Sequence, residues 1–141
     1  MRALGIDLGS KRIGVAVSDR SGTIATPLTV VVRSGDVALD RQRIRGIVEE
    51  EEAERVIVGL PLSLDGRTGP AAEAAIAEAA ALARVVGVPV ETFDERLTTV
   101  TAEGLLRERR MRGEARRRVI DKVAAAVMLQ AWLDSPRRGA P

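Results

Sequence analysis

The order of extended and helical patterns along the chain is the sequence feature that most constrains its fold. Three runs rich in β-branched residues come first, at residues 2–8, 12–18 and 23–32, with short turns between them. This spacing predicts an antiparallel meander. Helically spaced apolar residues then alternate with a short apolar run at residues 55–60 and a fifth expected strand at residues 90–93. We therefore expect a mixed sheet of five strands, with the first strand central and parallel to the last two.

Helices are predicted where apolar residues recur at helical spacing. Asp36 is a suitable N-cap for the first helix, and Gly69 and Gly87 bound the second. Two more helices are expected after the last strand, over about residues 98–110 and 116–133. The last helix is expected to bury one apolar stripe, formed by Ile120, Val123, Ala124, Val127, Met128, Ala131 and Trp132. With helices on both faces of its sheet, this α/β topology is that of the ribonuclease H-like fold.

The length and composition of the chain exclude several alternatives. The 141 residues suffice for a single domain, and we expect residues 1–141 to form one. Cysteine, histidine and tyrosine are absent, so the chain has no thiolate or tyrosyl nucleophile and no histidine acid or base. No apolar run is long enough to cross a membrane, and Asp7 interrupts the segment where an export signal would be apolar. We therefore expect a cytoplasmic protein with no membrane partner.

Carboxylates occur where two of the parallel strands end, and ligands of open sheets bind beyond such ends. Asp7 lies at the end of the first strand, and Asp94 and Glu95 end the fifth. In an extended strand these two neighbours point to opposite faces, so only one of them reaches a shared site easily. Asp121 lies early in the last helix, at the edge of its apolar stripe. The alternatives are that Asp7 caps a turn and that Asp121 complements the helix dipole.

Three acids that are distant in sequence would thus meet at one end of the sheet. Clustered carboxylates repel one another unless cations balance them, and their hard oxygen atoms suit Mg²⁺ or Mn²⁺. Such ions activate a water molecule and stabilise the leaving oxygen of a phosphodiester. The pattern therefore indicates a metal-dependent phosphodiester hydrolase, whose chemistry needs no histidine.

The distribution of charge favours a polyanionic partner. The net charge is only +2, but residues 107–118 contain seven arginines and two glutamates. Arginine binds phosphate through a planar fork, so we expect nucleic acid as the partner, with contacts from Arg109, Arg110 and Arg112. The alternative is a solvated helix end that binds nothing. With Phe93 and Trp132 as the only aromatic residues, base stacking should contribute little.

Four motifs resemble those of the YqgF family of Holliday-junction-resolvase-like proteins. They are GIDLGSKRIGVAVSD at residues 5–19, VGLPLSLDGRTGP at 58–70, ETFDERLTT at 91–99 and IDKVAAAVMLQAWLD at 120–134. The motifs occur in the family's order, and the resemblance covers nearly the whole chain. It implies a nuclease that trims the 5′ end of precursor 16S ribosomal RNA during ribosome maturation in a bacterial cytoplasm.

The same resemblance implies roles for individual residues. It assigns metal ligation, with Mg²⁺ or Mn²⁺ as the cofactor, to the three expected catalytic residues Asp7, Glu95 and Asp121. It implies substrate or structural roles for six further residues, of which we expect the first four to contact nucleic acid: Lys11, Arg12, Arg96, Thr98, Asp65 and Gly66.

Three other functions compete with this interpretation. Asp7-Leu8-Gly9 before a hairpin also resembles the phosphate loop of actin-like and sugar-kinase ATPases, but those enzymes close two domains over the nucleotide. A non-catalytic RNA-binding or transcription factor would gain nothing from acids clustered beside phosphates. Resolution of a DNA Holliday junction is the nearest alternative, because metal-assisted hydrolysis serves RNA and DNA alike. RNA is favoured as the substrate, DNA stays open, and so does a homodimer.

Overall fold

The computed structural model describes residues 1–61, 68–94 and 113–135. The strands in these ranges agree with the predicted ones to within two residues at each end: β1 (Ala3–Leu8), β2 (Arg12–Ser18), β3 (Ala25–Val32), β4 (Arg55–Leu60) and β5 (Val90–Asp94). The helices are α1 (Val37–Glu50), α2 (Pro70–Val86) and α3 (Gly113–Asp134). The helix predicted over residues 98–110 lies outside the described residues. No helix in the described ranges is long and apolar enough to span a membrane.

The five strands form one sheet in the order β3-β2-β1-β4-β5, with β1 in the centre. β1 pairs antiparallel with β2 and parallel with β4, and β4 pairs parallel with β5. The carboxyl ends of β1, β4 and β5 therefore lie along one edge. This arrangement confirms the predicted mixed sheet and its α/β class.

Helices cover both faces of the sheet, as predicted. On one face, α1 and α2 pack over a cluster that includes Ile6 and Val58. On the other face, α3 packs over a second cluster, in which Leu129 lies with Ala3 and Ile57. These side chains are buried, Ile6 and Leu129 completely. The edge where the parallel strands end is thus held between two packed layers.

The turn before β3 explains why that strand starts two residues later than predicted. Oδ1 of Asp19 accepts hydrogen bonds from the backbone N–H groups of Thr23 and Ile24, at 2.7 and 3.1 Å. These two N–H groups therefore bond within the turn and do not pair with β2. Gln130 of α3 joins the turn to the helix, because its Nε2 donates to the Thr23 carbonyl at 2.9 Å.

The ends of α1 and α2 follow the predicted signals. Oδ1 of Asp36 caps α1 by accepting a hydrogen bond from the Leu39 N–H at 3.2 Å. Gly69 precedes α2, which begins with Pro70. Gly87 ends α2 with φ at 74°, a left-handed conformation that glycine adopts without steric cost.

α3 differs from its prediction in two ways. It begins at Gly113, about three residues before the predicted start. Its buried stripe is also turned by about one residue, or about 100° around the helix axis. Of the predicted stripe, Met128 and Trp132 are buried and the other five members are only partly buried. The buried residues of α3 are Ala125, Ala126, Met128, Leu129, Trp132 and Leu133.

Gly5 of β1 explains why the buried stripe of α3 is rotated relative to the predicted one. A Cβ atom at position 5 would lie 2.9 Å from the Leu129 Cβ and 3.2 Å from the Ala125 carbonyl oxygen. Without that atom, α3 settles onto β1 along the line of Ala125 and Leu129. Asp121 lies one turn before Ala125 on the same line, so it faces the sheet rather than lying at the edge of the stripe.

Candidate active site

Asp7 lies near the carboxyl end of β1, on the face of the sheet that α3 covers. It shares that face with Gly5, two residues earlier, on which Ala125 and Leu129 rest. The residue paired with Asp7 in β2 is Gly14. Directly opposite residues in an antiparallel pair point to the same face, with Cα atoms about 4.5–5.5 Å apart. Asp7 therefore borders the space above Gly14.

That space is filled by the backbone of α3 at Asp121. A Cβ atom at position 14 would lie 2.0 Å from the Asp121 carbonyl oxygen and 2.5 Å from its carbonyl carbon. No side chain larger than a hydrogen atom fits between these backbones. Because Gly14 is opposite Asp7, the close approach brings Asp121 beside Asp7. Gly14 was missed as a site residue, although a glycine within an otherwise apolar strand is a known signal of close backbone approach.

Arg12 binds Asp121 directly. Its Nε donates to Oδ2 of Asp121 at 2.8 Å, and the two side chains are only 16% and 20% exposed. The resemblance and the charge distribution predict that Arg12 contacts phosphate. In this structure its partner is one of the predicted metal ligands, and the contact with nucleic acid stays a prediction.

The turn between β1 and β2 is held by backbone hydrogen bonds. The Gly9 N–H donates to the Arg12 carbonyl at 2.9 Å, and a Cβ at position 9 would lie 2.5 Å from that oxygen. Arg33, just after β3, donates from Nε to the Gly9 carbonyl at 2.7 Å. Lys11 is exposed on this turn, next to Arg12. The turn therefore fixes the start of β2 and presents a lysine to solvent next to Arg12.

At the end of β5, the structure separates Asp94 from the face that Asp7 occupies. Phe93 packs against the cluster beneath α3, so alternation puts Asp94 on the opposite face, where its pair in β4 is Leu60. Its neighbour Glu95, predicted as a metal ligand, lies outside the described residues.

The structure thus brings together three of the predicted site residues, Asp7, Arg12 and Asp121, with Lys11 on the adjoining turn. The other predicted residues lie outside the described ranges: Glu95, Arg96, Thr98, Asp65, Gly66, Arg109, Arg110 and Arg112.

The donor set fits a hard divalent cation. Asp7 and Asp121 offer carboxylate oxygens, the ligands that Mg²⁺ and Mn²⁺ prefer. A positive charge already balances Asp121 in this structure, since the guanidinium of Arg12 is bonded to it. Within the described ranges, no three acidic side chains form a group that could hold a metal ion. Asp7 and Asp121 are the two predicted ligands that lie within those ranges.

Comparisons with known proteins agree on one family. A family model described as RuvX, Holliday junction resolvase, matches residues 1–135. Several relatives carry the name "Putative pre-16S rRNA nuclease". One from Mycobacterium sp. (strain KMS) is 50% identical over 137 residues, which cover 96% of this chain and 81% of the relative. Another, from Rhodococcus opacus (strain B4), is 52% identical over 141 residues, covering 97% and 79%. A third, from Pelotomaculum thermopropionicum, is 46% identical over 143 residues, covering 99% and 93%.

Solved structures confirm the predicted fold. RuvC of T. thermophilus in complex with a Holliday junction substrate superposes with a TM-score of 0.59 at 20% identity, covering 96% of this chain and 97% of RuvC. A second T. thermophilus RuvC structure gives a TM-score of 0.52 at 18% identity, covering 95% and 97%. At such identities the likeness concerns the fold, which is the ribonuclease H-like fold.

Proposed function

The chain belongs to the RuvX family of nucleases, and we propose that it processes the 5′ end of precursor 16S ribosomal RNA with the help of Mg²⁺ or Mn²⁺. As a member of this family it is a hydrolase that acts on phosphodiester bonds. The names of the relatives, which are about half identical to it over nearly its whole length, support RNA as the substrate.

The single observation that carries the proposal is the contact between Gly14 and Asp121. Because Gly14 is paired with Asp7, this contact brings Asp121 of α3 close to Asp7 of the central strand. Both acids therefore lie at the edge where the parallel strands end. The Arg12 guanidinium bonded to Asp121 supports the same interpretation, because it indicates a carboxylate that needs a cationic partner.

We propose that Glu95 is the third ligand. The alternation along β5 supports Glu95 over Asp94, since Phe93 lies on the α3 face and Asp94 on the other. In this proposal Asp7, Glu95 and Asp121 are the catalytic residues. An ion bound there would act as a Lewis acid toward the attacking water and the leaving oxygen.

The residues around this set would bind and orient the RNA. Lys11 is exposed on the turn between β1 and β2, where a phosphate that approaches Asp7 would pass. Arg12 is the second cation of the turn. We propose that further contacts extend along the RNA strand, as the resemblance and the charge distribution imply. The residues that would make them are Arg96, Thr98, Arg109, Arg110 and Arg112. Arginine-rich contacts of this kind hold the backbone without reading the sequence.

Cleavage of a DNA four-way junction is a second candidate, and the description of the matching family favours it. The experiment compares a precursor 16S RNA fragment with a four-way DNA junction, each incubated with Mg²⁺, Mn²⁺ or EDTA. We expect the RNA to be cut on its 5′ side with either ion, and EDTA to abolish the cut. Cleavage of the junction alone would select the second candidate. Binding of RNA without cleavage under all conditions would indicate a non-catalytic factor.

Two further expectations concern the cellular location and the oligomeric state of the protein. A nuclease that acts on precursor ribosomal RNA would work in the bacterial cytoplasm, which fluorescence microscopy of a tagged chain tests. The homodimer stays a prediction, and light scattering of the purified protein measures it directly.

A further inference from the structure

Arg12 contacts Asp121 and is a diagonal neighbour of Asp7 across β1 and β2. It lies two residues before Gly14 in β2, so its side chain is on the α3 face. Since Gly14 is opposite Asp7, Arg12 is diagonal to Asp7, a relation across which long side chains interact. Its Nε donates to Asp121 at 2.8 Å. The guanidinium therefore stands beside the carboxylate that the proposed metal ion needs.

A guanidinium and a divalent ion at the same carboxylate repel each other. The Arg12 and Asp121 side chains are 16% and 20% exposed, so water screens their charges less than at an open surface. An ion that binds Asp121 therefore weakens the pair with Arg12 and favours movement of the guanidinium away from the carboxylate.

A phosphate of the bound substrate is a second anionic partner for the displaced guanidinium. Arg12 is the first residue of β2 and follows the exposed Lys11, so rotation of its long side chain carries the head group towards solvent. A substrate for this site presents phosphates at the same place. Phosphate and carboxylate are both recognised by the planar fork of arginine, in charge-assisted hydrogen bonds.

We propose that Arg12 exchanges partners during the reaction cycle. Without a divalent ion it neutralises Asp121, and once an ion has taken Asp121 it binds a substrate phosphate. This proposal rests on the proposed function, because it treats Asp121 as a metal ligand. Two consequences follow: Arg12 weakens ion binding to the free protein, and it strengthens RNA binding only when an ion is present.

The first consequence is measured by titrating the RNA-free protein with Mn²⁺ in a calorimeter. We expect Arg12→Gln to bind Mn²⁺ about fivefold more tightly than the unchanged protein, the factor that corresponds to one partly exposed ion pair. Lys11→Gln is the matched control, since it removes the same charge from the same turn without touching Asp121. It should change Mn²⁺ affinity less than twofold, as expected for an exposed charge.

The second consequence is measured by fluorescence anisotropy with a labelled RNA, in Ca²⁺ and in EDTA. Ca²⁺ takes the same oxygen ligands, and gel analysis verifies that the RNA stays intact. We expect Arg12→Gln to lose about fivefold or more in RNA affinity in Ca²⁺ and almost nothing in EDTA. Lys11→Gln should lose the same factor under both conditions.

Three results would overturn the exchange. One is weaker or unchanged Mn²⁺ binding by Arg12→Gln, which would make Arg12 a fixed support for Asp121. Another is an equal loss of RNA affinity with and without the ion. If Arg12→Gln fails to fold, Arg12→Met removes the charge and keeps the apolar stem, and unchanged Mn²⁺ affinity in that variant would also overturn it.

Failure of the exchange is distinguishable from failure of the proposed function. If Asp121→Asn loses Mn²⁺ affinity while Arg12→Gln gains none, the metal site stands and only the exchange is wrong. If Asp121→Asn binds Mn²⁺ as the unchanged protein does, the carboxylate site itself is wrong.

Discussion

Gly14→Ala tests whether the approach of α3 to β2 builds the catalytic site. The added Cβ would lie 2.0 Å from the Asp121 carbonyl oxygen and 2.5 Å from its carbonyl carbon. Both atoms belong to the backbone, so no side-chain rotation relieves the clash. Ordinary van der Waals contact begins at about 3.4 Å, and α3 must therefore move away by more than an ångström at this point.

Two effects of known size follow from that movement. Overpacking of a core costs about 1–3 kcal/mol of unfolding free energy. A displacement of about 1 Å in a catalytic group lowers the rate by about a hundredfold. We therefore expect Gly14→Ala to remain folded, to unfold at a temperature several degrees lower, and to cut RNA about a hundredfold more slowly than the unchanged protein.

The assay combines thermal unfolding with single-turnover cleavage at saturating RNA. Gly46→Ala is the matched control, because Gly46 lies in the exposed part of α1 with nothing within 4 Å of the added atom. That variant should gain up to about 1 kcal/mol of stability, as alanine favours helix over glycine, and keep its activity. A Gly14→Ala protein with the cleavage rate and unfolding temperature of the unchanged chain would refute the reasoning.

The remaining predictions concern pH, helix packing and salt. Hydrogen bonds from the Thr23 N–H, the Ser21 hydroxyl and the Ile24 N–H lower the pKa of Asp19 to about 2. The ionised Asp19 thus stabilises the fold above its ordinary pKa of 3.8, and this contribution should be lost as the pH falls towards about 2. Melting curves of Asp19→Asn should no longer show this pH dependence. Arg41→Ala should destabilise the protein to urea by about 1 kcal/mol, because it breaks the paired hydrogen bonds from Arg41 Nε and Nη2 to Glu78 that join α1 to α2. Replacing three arginines together by alanine should flatten the slope of log RNA affinity against log salt by up to about 3; the three are Arg109, Arg110 and Arg112.

The strands and their order were predictable because the signals for them are local. β-Branched runs with short turns specify the meander of β1 to β3, and the apolar run of β4 is typical of a parallel strand covered on both faces. Asp36 and Gly87 likewise mark helix ends through hydrogen bonds and backbone angles of their own segments. Asp7 could be proposed for the site because the topology alone puts the end of β1 at the ligand-binding edge.

What the sequence could not supply is the way that distant segments pack. α3 carries small apolar residues around much of its circumference, so periodicity alone did not decide which line of them faces the sheet. Gly5 and Gly14 decide it, because the helix backbone fits only where those strands lack a Cβ atom. The same packing puts Asp121 over Gly14, the residue paired with Asp7, and within reach of Arg12. An ion pair between residues so far apart in sequence has no local signal.

The central claim is that carboxylates from β1, from the end of β5 and from α3 form one metal-dependent site. Single-turnover cleavage by variants that replace each carboxylate with an amide tests this claim most directly. The variants are Asp7→Asn, Glu95→Gln and Asp121→Asn, with Asp134→Asn as the control, since Asp134 is an exposed acid on the same helix as Asp121. We predict that each of the first three stays folded by circular dichroism and cuts precursor 16S RNA at least about a thousandfold more slowly in Mg²⁺ or Mn²⁺. Asp134→Asn should cut at the rate of the unchanged protein. Full activity in any two of the first three variants would contradict the account.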